Sequence, residues 1–130
     1  MTDLVNEIRQ IEQDMACAFN DKDVEKFLSF FSADLVGFSS TTHDRIQGLD
    51  ALKKTFEYYL QEGEKVEFSV SNVAVQTFGD VAVASFHWVV TIDDGNRIHD
   101  IPGRGTHVFY KKNHKWLVVH EHFSRAHHYV

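Results

Sequence analysis

Glu121 and His107 are the residues of this sequence best suited to proton transfer. Glu121 is the one carboxylate in the largely apolar run 116–124, and His107 belongs to the preceding predicted strand. In a dry cavity a carboxyl group can act as general acid or base, and a histidine beside it can orient it or hydrogen-bond a ligand. We therefore predict that both are catalytic. The alternatives are a Glu121 that is solvated or paired with Arg125 or Arg97, and a His107 that is an ordinary interior histidine.

A second group of histidines is a candidate metal-binding site. His120 and His122 lie two residues apart on one face of the last predicted strand, and two further histidines follow at 127 and 128. A metal site needs three or four converging ligands, and the sequence has neither a cysteine pair nor an HExxH motif. We therefore predict no metal and place His120 and His122 in a dimer face or a hydrogen-bond network. Acid–base chemistry also needs no external cofactor, and none is predicted.

The first half of the chain, which must position these residues, has helical periodicity. Apolar residues at steps of three and four begin at Leu4, after an N-cap at Thr2 or Asp3. Met15 and Phe19 belong to this stripe and are core residues that can also line a cavity. The pattern predicts helices at 4–19, at 24–31 and from Gly48 to about Gly63, with short strands at 35–38 and 45–47. Tyr58 lies off the main apolar face of the third helix and is a candidate for the cavity mouth.

The second half has the period of two that is typical of strands. Val73 and Val75 have the opposite parity to the alternation that starts at Val66, which predicts a bulge near Asn72. Four strands then form an antiparallel meander, at 66–75, 81–92, 97–110 and 116–124. The motif 103–105, Gly-Arg-Gly, lacks a following helix, so we predict a bulge there and no dinucleotide loop.

Composition and strand patterning together limit the partners of this chain. The 130 residues suit a single domain over 1–130, and 13 basic against 19 acidic residues give a formal charge of −6, which argues against nucleic acid or anionic membranes. The predicted strand 81–92 is apolar on both faces, and three helices cannot cover both faces of one sheet. We expect a homodimer packed through the sheet face, with Trp88 and Trp116 on that outer side. The lone Cys17 and the absence of a signal-type apolar run predict a reducing, cytoplasmic setting.

Two segments near the end of the sequence resemble those of a known superfamily. The segment Arg104-Gly-Thr106-His-Val108 and the ending Trp116-Leu-Val-Val-His120-Glu-His122-Phe-Ser124 are similar to the R-x-T-x-V and W-x-x-V-H-x-H-x-S patterns of SnoaL-like proteins. Further matches are Gly48-Leu-Asp50, Phe56-Glu57 and the turn Phe19-Asn-Asp21-Lys-Asp23. The association domain of calcium/calmodulin-dependent protein kinase II shares much of this pattern. The resemblance implies an α+β, nuclear transport factor 2-like (cystatin-like) cone, with three N-terminal helices packed on a strongly curved, mostly antiparallel sheet that encloses a pocket.

The resemblance also suggests which face of the last strands meets the pocket. The kinase association domain places pocket residues at the positions matched by Phe123 and His107, where it has arginines that could hold a carboxylate. This chain has none there, which favours an apolar or cationic ligand over an anionic one. With Glu121 and His107 as catalytic candidates, the ligand-binding candidates are His87, Phe109, Val119, Phe123, Tyr58, Met15 and Phe19.

Two functions of different classes remain open from the sequence. One is a small-molecule-binding protein with an apolar cavity, which in an enzyme would perform isomerase- or cyclase-type acid–base chemistry on an unidentified small molecule. The other is a non-catalytic dimerisation or assembly module that resembles the kinase association domain. A ring larger than a dimer would favour assembly, and a dimer with a ligand in its pocket would favour the first function.

Overall fold

Two of the three helices begin and end close to where the apolar spacing predicts, whereas the prediction of the second to residue 31 was wrong, because it ends at Leu28 and Phe31 already belongs to a strand. The computed structural model describes residues 3–126, with α1 (Leu4–Asn20), α2 (Val24–Leu28) and α3 (Gly48–Leu60). Asp3 caps α1, because its carboxylate accepts a hydrogen bond from the Val5 amide, and Asp23 caps α2 in the same way through the Lys26 amide. The other predicted cap, Thr2, lies outside the described residues. No helix in the described part of the chain is long and apolar enough to cross a membrane.

Six strands form one open sheet in the order β2-β1-β6-β5-β4-β3. The four long strands are the predicted antiparallel meander, and β1 joins it by pairing in parallel with β6. The predicted α+β class, with helices on a mostly antiparallel sheet, is confirmed. The strands are β1 (Phe31–Phe38), β2 (Ile46–Gln47), β3 (Lys65–Phe78), β4 (Val81–Asp93), β5 (Ile98–Lys112) and β6 (Lys115–Arg125).

Two irregularities bend the long strands. In β3 the pairing with β4 shifts between Ser71 and Ala74, and Asn72 has a φ of 53°, so the predicted bulge is confirmed. The second was not predicted: Phe109 of β5 pairs with Val118, whereas Val108 pairs with His120. Val119 is therefore an extra residue in β6, and the inward-facing parity changes there from even to odd numbers.

The Gly-Arg-Gly motif has a different role from the predicted bulge. The register between β4 and β5 is continuous through it, with Trp88 opposite Gly103 and Phe86 opposite Gly105. A Cβ atom on Gly103 would overlap the Trp88 indole, and one on Gly105 would come within 2.6 Å of Phe86. The bulge prediction was wrong. The two positions are glycines because the rings of Trp88 and Phe86 occupy the space that a side chain would need.

The two parities of β4 define an inner and an outer face of the sheet. The inner face carries Ala82, Ala84, Phe86, Trp88, Val90 and Ile92, which are all buried under the helices. The outer face carries half-buried valines at 81, 83 and 89, with Ser85 and His87 exposed between them. The prediction that Trp88 and Trp116 face outward was wrong, since both are buried in the core. Alternation separates two sets of residues, but it does not say which set the helices cover.

Candidate functional site

A cavity lies between the inner face of the sheet and the three helices. Its volume of about 60 Å³ gives room for roughly four to six water-sized groups. Nine of its nineteen lining residues are aromatic, and its polar lining comes from Glu12, His107, Glu121 and a set of hydroxyl groups. The aromatic residues in the wall are Phe19, Phe27, Phe31, Phe56, Tyr59, Phe68, Phe86, Trp88 and Phe123.

His107 bridges two glutamates in the wall of this cavity. Its Nδ1 lies 2.7 Å from Oε2 and 3.0 Å from Oε1 of Glu12, and its Nε2 lies 2.8 Å from Oε1 of Glu121. Glu12 comes from α1, His107 from β5 and Glu121 from β6, where it is the direct cross-strand partner of His107. The three are almost fully buried, with exposed fractions of 1%, 3% and 5%. We call this group the Glu–His–Glu trio.

The two glutamates keep His107 protonated. Burial by itself lowers the pKa of His107, but the charge and hydrogen bond of Glu12, followed by those of Glu121, outweigh it and raise the pKa to about 10. Both ring nitrogens must then carry hydrogen, and each N–H donates to a carboxylate. At neutral pH His107 is therefore a fixed cation with no proton-accepting nitrogen.

The two carboxylates of the trio differ in how many of their oxygens accept a hydrogen bond from His107. Both oxygens of Glu12 accept from His107 Nδ1, whereas Glu121 uses only Oε1 for His107. Oε2 of Glu121 has no hydrogen-bond partner among residues 3–126, and Glu121 is part of the cavity lining. This oxygen therefore has lone pairs that no group among the described residues uses.

Four phenyl rings surround the imidazolium of His107. The ring centroids of Phe86, Phe123, Phe31 and Phe109 lie 5.1, 5.4, 5.8 and 6.0 Å from that of His107. Such rings exclude water and favour a cation near their faces. They also fix the ring plane of His107, and through it the position of Glu121.

Several residues predicted for the site lie together at the cavity. Glu121, His107, Phe123, Met15 and Phe19 all line it. The alternative pairing of Glu121 with Arg125 or Arg97 is not seen, because Glu121 binds His107 and the Arg125 guanidinium lies 5.7 Å from the centroid of the Tyr59 ring. The functional roles assigned to these residues stay predictions.

Four other candidates are not in the cavity wall. His87 is on the outer face, where its Nδ1 lies 3.3 Å from the Asn72 amide nitrogen. Val119 is the extra residue of the β6 bulge, and Tyr58 is 38% exposed and packs edge-on against Tyr59. Phe109 is fully buried behind His107 and supports it from outside the cavity.

Sequence reasoning missed Glu12 and the hydroxyl groups of the wall. Glu12 stands four residues after Ile8 and three before Met15, so a carboxylate on the buried stripe of α1 was the available signal. Ser40 Oγ and the Tyr59 hydroxyl lie 3.0 Å apart, but nothing in the sequence of that turn distinguishes it from a solvent-exposed loop. The missed hydroxyl residues in the cavity wall are Ser39, Ser40, Thr41 and Thr55.

The two histidines considered as a metal edge lie beside β1. His120 and His122 pair with Val36 and Phe38, and the ring of His122 lies 5.4 Å from that of Phe38. Within residues 3–126 no three His, Cys, Asp or Glu side chains converge in a way that could hold a metal ion. His127 and His128 lie outside the described residues.

Residues 8–128 of the sequence match the SnoaL-like domain. The chain belongs to the SnoaL-like family. No protein of curated function matches its sequence. The match to the SnoaL-like domain confirms the family resemblance noted in the sequence, and it covers almost the whole chain.

Solved structures with similar folds come from proteins of more than one kind. The chain superposes on the CaMKII hub of S. rosetta with a TM-score of 0.83 at 20% identity, over 97% of this chain and 99% of that one. An NTF2-like protein of unknown function from Pseudomonas putida gives 0.78 at 25% identity, over 93% and 85% of the two chains. A candidate dehydratase of the NTF2-like family from Streptomyces avermitilis gives 0.79 at 16%, over 94% and 95%. Likeness at these identities shows the fold alone.

Proposed function

We propose that this SnoaL-like protein binds a small neutral or cationic organic molecule in its cavity, with Glu121 as the group that accepts a proton from it. The observation that carries the proposal is Oε2 of Glu121, a carboxylate oxygen in the cavity wall that has no hydrogen-bond partner among the described residues. Buried polar groups are normally hydrogen-bonded, so an unpaired one in a cavity wall calls for a ligand donor.

His107 and Glu12 support Glu121 in this proposal. A general base must be held in one geometry, and the 2.8 Å hydrogen bond from His107 fixes Oε1 so that Oε2 keeps a constant direction. The protonated His107 cannot itself accept a proton from a ligand. It therefore serves as a positioning residue, and Glu12 supplies the charge that keeps it protonated.

The charge of the cavity wall limits the ligand. Among the described residues that line it there is no lysine or arginine, and the only cation, His107, gives its N–H groups to the two glutamates. An anionic ligand would find no positive group to replace its hydration. Hydroxyl groups such as those of Ser40 and Tyr59 would instead donate to a carbonyl or ether oxygen on a neutral ligand.

An assembly role remains the second candidate, because the outer face of the sheet offers a surface for it. The valines at 81, 83 and 89 on that face are only half-buried within one subunit. The structural neighbours include CaMKII hub domains, which suggests oligomerisation, and we propose a homodimer through this face. Cytoplasmic location and the lack of nucleic-acid and membrane partners also remain part of the proposal.

The test compares wild type with Glu121→Gln and with Glu67→Gln, whose side chain is exposed on β3. Thermal shift against a library of small carbonyl compounds, amines and aromatic acids identifies ligands. For hits with an acidic C–H bond, exchange into D₂O followed by NMR reports proton abstraction.

We expect wild type and Glu67→Gln to bind and exchange alike, and Glu121→Gln to lose exchange while still binding neutral ligands. Absence of any hit for wild type would overturn the proposal. Equal exchange by the Glu121→Gln protein would remove Glu121 from the chemistry.

A further inference from the structure

One carboxylate oxygen in the cavity wall has no hydrogen-bond partner among the described residues. The Glu–His–Glu trio contains two carboxylates and one imidazolium, and both oxygens of Glu12 already face His107. Glu121 is therefore the carboxylate of the trio with the fewer hydrogen bonds, and it lines the cavity. A buried carboxylate that lacks a counter-charge is costly, and a cation placed beside it would relieve that cost.

The walls next to Glu121 suit an organic cation better than a hydrated metal ion. Phe123, two residues after Glu121, stacks on Trp88 with ring centroids 5.7 Å apart, and Phe68 stacks on Phe123 at 6.5 Å. The face of an aromatic ring attracts an organic cation, and the face of a tryptophan does so most strongly. No three His, Cys, Asp or Glu side chains in the described part of the chain converge in a way that could hold a metal ion.

The size of the cavity limits how much of the ligand it can enclose. A volume of about 60 Å³ holds roughly four to six water-sized groups, which matches a trimethylammonium group or a short primary amine. The rest of a longer ligand would have to extend out of the cavity.

We propose that the ligand of this cavity carries a compact organic cation, a protonated amine or a quaternary ammonium group, that lies between Glu121 and the rings of Trp88 and Phe123. This rests on the proposed function and names the chemical class of its ligand. A quaternary ammonium would be bound as such, and a primary amine would donate one N–H to Oε2 of Glu121.

Three probes of nearly the same shape and different charge test the proposal. Choline is the cation, 3,3-dimethyl-1-butanol is its neutral isostere, and 3,3-dimethylbutanoate is the anion. Each is titrated into the full chain at fixed ionic strength, and the chemical shifts of the tryptophan indole protons are followed by NMR. We expect choline to bind at least about tenfold more tightly than the alcohol, and the anion not to bind.

Two variants separate the charge contribution from the aromatic one. Glu121→Gln should reduce choline binding to the level of the alcohol and leave alcohol binding unchanged. Phe123→Leu keeps an apolar side chain and removes a ring, so it should weaken choline more than the alcohol. The Glu67→Gln protein should behave like wild type throughout.

The possible results distinguish this proposal from the one on which it rests. Equal or tighter binding of the alcohol would overturn the organic-cation proposal and leave small-molecule binding intact. Hits from the library with no binding of choline would do the same. Tightest binding by the anion would overturn both proposals, as would the absence of any library hit.

Discussion

The inner and outer faces of the sheet are built from the same strands but tolerate change very differently. On the inner face of β4, Phe86 and Trp88 fit against glycines of β5, and His107 beside them is held between two glutamates. On the outer face of the same strand, His87 is exposed and its valine neighbours are half-buried. The comparison shows two histidines with opposite roles: one is fixed by charges and rings, and the other is in contact with solvent.

The largest expected effect comes from removing the cation of the inner face. The substitution His107→Leu leaves Glu12 and Glu121 buried without the group that both bind, and breaking a buried pair in this way costs about 3–5 kcal/mol. His87→Leu on the outer face should change the free energy of unfolding by less than about 0.5 kcal/mol. Urea unfolding of the two variants measures both values, and similar losses would mean that the trio does not stabilise the fold.

The second effect is a dependence of stability on pH that only the inner histidine should cause. The pKa of His107 is raised from 6.5 to about 10 in the folded protein, so its contribution is fully present below pH 6.5 and is lost as pH rises through 10. We expect the free energy of unfolding of wild type to fall between pH 7 and 10. His107→Leu should lack this fall, whereas His87→Leu should keep it. A wild-type profile parallel to that of His107→Leu would show that the pKa of His107 is not raised.

A third, smaller effect tests the close fit of rings on β5. Gly105→Ala would place its Cβ 2.6 Å from Phe86 and 2.9 Å from Phe123, and such overpacking costs about 1–3 kcal/mol. Arg104→Ala changes the neighbouring residue, whose side chain is exposed, and should cost less than about 0.5 kcal/mol. Thermal unfolding of both proteins gives the comparison. A neutral Gly105→Ala would mean that the rings can move aside without loss.

The smallest effect on the subunit itself is expected from a charge on the outer face. Val83 is half-buried and pairs with Val108 of β5, so Val83→Lys should leave the near-ultraviolet circular dichroism of the subunit unchanged. The same change should dissociate the proposed homodimer, since a lysine has no counter-charge in an apolar interface. Sedimentation velocity decides the matter, and a wild type that sediments only as a 15.0 kDa species would contradict the dimer itself.

Local chemistry made much of the fold predictable. The Asp3 cap depends only on neighbouring residues, and the Asn72 bulge is visible as a change of parity within one strand. His107 and Glu121 could be paired from the sequence because both lie on regular parts of adjacent strands. Each of these features needs no knowledge of what packs on the sheet.

The site was only partly predictable, since its remaining parts depend on packing between distant segments. Glu12 meets His107 across 95 residues of chain, and no local pattern links the two. The outward assignment of Trp88 failed because parity cannot say which face the helices cover. Val119 was misplaced for a different reason: residues 117–119 are all apolar, so the extra residue leaves no visible break in the alternation.

The extra residue at Val119 makes the last strand sensitive to its length. Val118 and Glu121, three residues apart, both face inward only because Val119 is accommodated between them. Deleting that one residue would keep the composition almost unchanged, yet either the segment that carries Trp116 or the segment that carries Glu121 would have to turn over. The number of residues between Trp116 and Glu121 thus helps to decide which side chains face the cavity. Alignments of related chains should therefore be judged by this spacing as well as by the residues themselves.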